Sequence, residues 1–483
     1  MPAAKVEQRP MPAVSESGSF LNHFYFENRT EYTHGDYNFS GQPTATGVVD
    51  VQPGTGVNPT GFPYPPAFQD NTNEMYSYLN LGTRGLGSER INTNFALRYR
   101  QDLTALTNAS PGLSVLNTFN GSHLFEIVSG YVEINGKPTD GWFANSSIRL
   151  GRQTTYGPYM AQFDGASYNR TGGRYALTLY GGRRFTYYSD PVQRAIGGVD
   201  FKFRLTNRIS VGYQGQFYVK GTNGFSYHQE INQNWLLNAY YRMVGSHPVD
   251  FTASTFWTPS NGKTTVGLSY FQKITNQDYI YDYTYGANDQ DPYNVYRRLN
   301  LNPKSPYSQF TIDARHSFAS YLRLGGAIVL RELNNNRDQG PFDTSFADYR
   351  VNAQVFPWRK IETSVEYHQH NSDRKNPVPQ DYFPDVTAVG ETRVQDLSVE
   401  VGRGFFENRV NIQGGAFFRR INFQGPYYII NNAQDKGWLA NAAWKLDSHT
   451  RLFFDYSLDT DFYVWRPSIQ NGQVFRLGLD WKY

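Results

Sequence analysis

Gly472–Tyr483, reading GQVFRLGLDWKY, closes the chain and decides how the rest of it is read. Phe475, Leu477, Leu479, Trp481 and Tyr483 share one parity, while Arg476, Gly478, Asp480 and Lys482 share the other. Successive side chains of a β-strand point to opposite faces, so this segment presents one apolar face ending in aromatics and one charged face.

Working outward, the same alternation recurs. Ile91, Thr93, Phe95, Leu97 and Tyr99 oppose Asn92, Asn94, Arg98 and Arg100; Val199, Phe201, Phe203 and Leu205 oppose Asp200, Lys202 and Arg204. Segments 322–330, 349–355, 361–367, 397–401 and 452–458 read the same way. None spaces its apolar residues at i, i+3, i+4, i+7, so a helical reading fails. Globular strands are usually about 5–6 residues long, whereas tilted strands of about 9–11 residues cross a bilayer. Short turns recur at 85–88, 171–173, 206–207, 319–320, 358–360 and 448–450. Long polar stretches, 34–74, 104–121, 287–306, 334–343 and 373–392, alternate with them.

The expectation is an all-β chain forming a single large antiparallel transmembrane β-barrel. Counting strands with 279–285 (YIYDYTY) as one of them gives about 22, with 18–22 compatible, short periplasmic turns and long extracellular loops. Residues 1–18 read as a flexible periplasmic tail and 19–483 as the barrel. Aromatics at strand ends, among them Tyr156, Tyr159, Tyr187, Tyr188, Trp257, Trp358, Trp465, Trp481 and Tyr483, suit headgroup-level girdles.

Composition agrees. The chain has 37 Tyr, 34 Phe and 44 Gly, and its mean hydropathy is -0.60. A barrel gives only alternate residues to lipid, so a polar average is compatible with membrane insertion. Zero Cys excludes disulfides, thiolate metal sites and haem attached through this chain's own cysteines. A net charge of +3 is too mild to point to nucleic acid. The N-terminus lacks the apolar core of a signal peptide, so the expectation is that a leader was removed before this numbering begins.

Phe475, Leu477, Leu479, Trp481 and Tyr483 resemble the C-terminal insertion signal of bacterial outer-membrane barrels. Arg149-Leu150-Gly151-Arg152-Gln153, followed by Gly157 and Phe163-Asp164-Gly165, is similar to a segment of some porins and alginate-export-type channels. The resemblance implies residence in the Gram-negative outer membrane, with lipid and lipopolysaccharide as surroundings and the barrel-assembly machinery as a partner.

The presumed lumen face carries both charge signs, unevenly distributed. Residues 84–220 hold 16 Lys+Arg against 8 Asp+Glu, while 307–483 hold 20 of each. Arg98, Arg100, Arg149, Arg174, Lys202 and Arg204 would then form a basic wall, with Arg152, Arg183 and Arg184 on its rim. Such a wall favours anionic solutes, unless it is an arginine–carboxylate lattice bracing the barrel. Glu366, His368 and His370 share a strand face and could hold Zn or Ni; Asp459 and Asp461 could bind Ca. His123, His228 and His316 have no sequence-evident partner, and there is no GxSxG, HExxH or P-loop, so no enzymatic activity, catalytic residue or cofactor is expected.

Three functions fit. The first is a channel for polar or anionic solutes or an exported polysaccharide. The second is an insulating sheath around a multihaem cytochrome, resembling porin–cytochrome conduits, with a lumen-filling or periplasmic protein as partner. The third is an adhesin or structural barrel. A barrel of about 22 strands has a wide lumen, and residues 1–18 are too few to plug it.

Overall fold

The structure, a computed structural model, describes residues 23–39, 69–103, 123–158, 160–185, 195–218, 220–275, 306–334, 345–358, 361–373, 391–424, 432–460 and 469–483. The tail 1–18, the segment 279–285 and most of the long connections expected above lie outside them.

Twenty-two strands form one sheet. In chain order they are β1 (Phe24–Phe39), β2 (Gln69–Gly85), β3 (Ile91–Asp102), β4 (His123–Asn135), β5 (Ser146–Tyr156), β6 (Met160–Thr171), β7 (Tyr175–Phe185) and β8 (Ala195–Arg204). Then come β9 (Ile209–Tyr218), β10 (Lys220–Asn232), β11 (Trp235–Val244), β12 (His247–Trp257), β13 (Thr264–Lys273), β14 (Tyr307–Ala319) and β15 (Leu322–Leu333). The last seven are β16 (Ser345–Trp358), β17 (Ile361–Asp373), β18 (Glu391–Phe405), β19 (Val410–Gln424), β20 (Asn432–Lys445), β21 (Thr450–Thr460) and β22 (Ile469–Lys482). Each pairs antiparallel with its sequence neighbour, and β22 pairs antiparallel with β1 to close the sheet. The number matches the expected 22, and the segment 279–285 lies outside the described residues. Residues 34–39 and 69–74, read as loop, are strand: β1 and β2 run past the point where apolar alternation stops, held by a continuous ladder from Phe24↔Thr83 to Asn38↔Gln69.

Closure fixes the register at the seam. Glu27 faces Lys482, Arg29 faces Asp480 and Thr33 faces Arg476. Lys482 Nζ lies 2.5 Å from Glu27 Oε1, and Phe26 and Tyr483 exchange backbone hydrogen bonds of 3.1 and 2.7 Å. The Phe26 and Trp481 rings meet edge-on at 4.9 Å. A one-residue slip would turn the apolar set of β22 to the charged face, so the pattern excludes odd slips, and the cross-strand contacts at the seam hold the one even register seen.

One face of the ladder is apolar almost all the way round: Leu477, Leu479 and Trp481, Leu150, Phe201, Phe217, Leu268, Ile328, Val401 and Trp438 are all exposed on it. The opposite face carries most of the ion pairs, Arg152–Asp164 being on the apolar side. The turn after β5 shows which face is inside, since Pro158 O accepts a 3.1 Å hydrogen bond from Arg242 on β11, five strands on from β6. Such a turn meets that strand by reaching into the lumen. Trp235, Trp257, Trp444, Trp481 and Tyr483 lie exposed around the end carrying the termini, where a girdle belongs. Of the other expected girdle residues, the side chains of Tyr156, Tyr159, Tyr187, Tyr188, Trp358 and Trp465 lie outside the described set. A closed barrel leaves no sheet edge in lipid, and no described helix is long and apolar enough to cross a membrane. The chain is a transmembrane barrel of the bacterial outer-membrane type.

Where β22 passes β21, the Phe453 ring lies against Gly478 on the lumen side, where an added Cβ would collide with the ring. The Arg29 guanidinium lies over the same ring, 4.7 Å from its centroid. A buried aromatic over a glycine braces the seam.

Candidate functional site: the charged lumen

The register places Arg98, Arg100, Arg149, Lys202 and Arg204 on the lumen face. They do not form one basic wall. Arg98 is ion-paired with Glu126, whose side chain is only 6% exposed. Arg100 Nη2 meets Glu74 Oε1 at 2.5 Å, and Arg149 Nη2 meets Glu133 Oε2 at 2.6 Å. Local charge counts conceal this, because Glu74, Glu126 and Glu133 arrive from neighbouring strands in register. A guanidinium drawn off water is stabilised by such a partner, and each pair has one well-shielded member, Glu126, Arg100 or Glu133.

Arg174 differs from expectation in another way. It lies in the turn before β7, exposed, with its backbone O bonded to Arg204 N at 2.7 Å. Lys202 and Arg204, at the end of β8, are exposed as well. None of the three forms an ion pair with another described residue. Arg208, in the adjacent turn 205–208, is also exposed and was overlooked because it lies outside any alternating run. Four cations thus cluster at the short-turn mouth.

The rim set splits by face. Arg184 points to the lumen side, opposite Phe163, whereas Arg183 pairs across from Asp164 on the outer face. Arg152 also faces outward, because Gly151, at φ +128°, Arg149 and Gln153 take the alternating positions. Its guanidinium grips Asp164 at 2.7 and 2.9 Å, donates to Ile127 O at 3.0 Å and lies 3.7 Å from the Phe185 ring centroid. Gln153, 3% exposed, accepts from Ser167 Oγ at 2.7 Å inside the barrel. The segment resembling porin sequences is therefore a crossing point of inner and outer polar contacts.

The histidine set also changes membership. His368 Nε2 lies 2.6 Å from Asp348 Oδ2, and His370 Nδ1 lies 3.2 Å from the same oxygen. Glu366 is on their face but one pair further along, opposite Asn352 and Ser398. Asp348 takes its place because antiparallel pairing sets it directly across from His370. Sequence spacing along one strand cannot reveal a cross-strand ligand. Among the described residues, Asp348, His368 and His370 are the group whose ligand atoms all lie within 4.8 Å of one another. The side chains of Asp459 and Asp461 lie outside the described set. His228 is held by Asn238 Oδ1 at 2.8 Å and His316 by Thr264 Oγ1 at 2.8 Å.

No family model matches this chain, and no curated protein matches it. Solved structures that superpose on it include a BenF-like porin from Pseudomonas fluorescens Pf-5, with 9% identity over 96% of this chain and all of that one, at a TM-score of 0.46. Acinetobacter baumannii OccAB2 shares 11% identity over 97% of this chain and all of that one, TM-score 0.42. The P pilus usher (PapC) translocation pore shares 8% over 95% and 99%, TM-score 0.48. Identity and superposition are both low, so function has to be read from this chain's own geometry.

Proposed function

We propose that the barrel is an outer-membrane channel for polar solutes, with a preference for anions set at its short-turn mouth. The observation that supports this is the separation of two kinds of charge. Inside, Arg98, Arg100 and Arg149 are neutralised by Glu126, Glu74 and Glu133. At the mouth Arg174, Lys202, Arg204 and Arg208 are exposed. Compensated charges keep a wall wettable and rigid, whereas uncompensated ones concentrate counter-ions ahead of the pore. The reading assigns the chain transport and no catalytic step.

Reversal potentials across planar bilayers under a salt gradient test it. Replacing Arg174, Lys202 and Arg204 together by Gln is expected to lower the anion-to-cation permeability ratio roughly several-fold. An unchanged ratio would overturn the anion preference. A wild-type barrel that carries no current and co-purifies with a haem protein would replace the channel by the sheath.

A further inference from the structure

The lumen face of β16–β18 holds an arrangement that channel function does not require. Two imidazoles converge on one carboxylate oxygen, Asp348 Oδ2, at 2.6 and 3.2 Å. The other oxygen, Oδ1, is occupied by Arg350 Nε at 3.1 Å, which fixes the carboxylate plane. His368 is held from behind: its Nδ1 lies 3.0 Å from Asp396 Oδ2, and Asp396 Oδ1 is gripped by Arg419 Nε at 2.7 Å. Phe346 packs on the His370 ring at 4.8 Å between centroids. Asp348 is 5% exposed, whereas its strand neighbours Tyr349, Arg350 and Val351 are exposed.

A neutral His368 that donates Nδ1–H to Asp396 presents the Nε2 lone pair to Asp348 Oδ2. Two acceptors at 2.6 Å repel unless a cation sits between them. A proton can fill that role for one imidazole; a metal ion fills it for both at once. The Asp396–His368 contact is the carboxylate–histidine support that orients metal-bound imidazoles. Two nitrogens and one carboxylate oxygen suit Zn2+, Ni2+ or Cu2+ rather than Mg2+ or Ca2+, which demand oxygen.

We propose that Asp348 Oδ2, His368 Nε2 and His370 Nδ1 form a binding site for a borderline divalent cation such as Zn2+ on the lumen wall of β16 and β17, with Asp396 and Arg419 as positioning residues. Binding replaces the bridging proton, which is released to solvent, and bonds of about 2.0–2.1 Å require only small rotations of side chains already in contact. The fourth position faces the lumen and takes water. The site lies towards the end of β17 opposite the cationic mouth, and it does not depend on whether the barrel conducts.

Equilibrium dialysis of the detergent-solubilised full chain against Zn2+ alone tests the site. One Zn2+ per wild-type barrel is expected, with saturable uptake lost in Asp348→Asn and in His370→Gln. Asp396→Asn is expected to weaken binding about 10- to 100-fold without abolishing it. Glu366→Gln is expected to bind as wild type. Retained heat-modifiable migration in electrophoresis verifies each barrel, and an Asp348→Glu form stands in for any variant that does not fold. Wild type without saturable uptake would overturn the site and leave a proton alone between Asp348 and His368. Equal uptake by wild type, Asp348→Asn and His370→Gln would overturn the assignment of ligands.

Discussion

Two arcs of this barrel solve the same problem differently. Along β5–β12 the lumen face is packed. Phe163, Gln216, Thr222 and Val244 are less than 2% exposed or close to it, and Phe163, Tyr180, Ile196 and Ala161 form an apolar cluster inside the barrel. Three of the four connections on the side opposite the short turns also shrink here, to residues 157–159 after β5, 219 after β9 and 245–246 after β11, while 186–194 after β7 is longer. Along β13–β22 several of the corresponding connections are long, as between β13 and β14 and between β17 and β18, and away from Asp348 the wall holds a hydrated pair such as Arg476–Asp455, exposed on both sides. Buried residues in this arc are few, and three of them, Leu333, Asp348 and Ser372, gather around the histidine cluster. The packed arc fills its inner face with side chains, whereas the open arc leaves more of its inner face to water. Burial in an open wall marks a built site, while burial in a packed wall marks only packing.

Breaking an ion pair in each arc should expose the difference, and the packed arc should respond most. Arg242 pairs with Asp250, whose side chain is 8% exposed, and reaches Pro158. Arg242→Gln leaves that carboxylate buried and uncompensated, and is expected to cost on the order of 3 kcal/mol in urea unfolding from lipid vesicles. A loss below about 1 kcal/mol would mean that the packed arc is wetter than its burial indicates. Because Arg242 also holds the inward turn at Pro158, the same variant should raise single-channel conductance.

The open arc should be more tolerant. Arg476 Nη1 lies 3.9 Å from Asp455 Oδ2, with the two side chains 41% and 40% exposed. Arg476→Gln is expected to change unfolding by less than about 1 kcal/mol, since hydrated pairs contribute little. A loss as large as that of Arg242→Gln would erase the distinction between the arcs.

The smallest effect belongs to neither wall. In the turn between β20 and β21, Asp447 accepts backbone N–H bonds from His449 and Thr450, both 2.7 Å, and these hold its carboxyl below the ordinary 3.8. A depressed folded pKa adds stability that is present above the unfolded value and lost as pH falls through the folded one. Asp447→Ala should therefore be slightly less stable than wild type at neutral pH, and the gap should close below pH 3.8. A gap independent of pH would assign the effect to the turn backbone instead.

How far the lumen was legible depends on the range of each contact. Arg98 and Arg149 were placed on the correct face by parity alone, yet their partners Glu126 and Glu133 were invisible to it, because register between strands is not written in either strand separately. Arg174 misled because parity continues on paper through a turn where the strand has already ended. Arg152 misled because a rim position was inferred without its face, and Gly151 keeps the alternation that sends it outward. The histidines were found because two of the three ligands lie on one strand at i and i+2. The third, Asp348, comes from the strand before.

By itself the sequence determined the architecture: strand length, period and the aromatic closing segment Gly472–Tyr483 leave a membrane barrel as the one arrangement that satisfies every backbone group and hides every apolar face. That information is local and repeats twenty-two times. Only the tertiary structure decided which charges cancel, which have no ion-pair partner among the described residues at the mouth, and which donors converge on Asp348. Electrostatics and coordination act over a few ångströms between strands, and those distances exist only once the register is set.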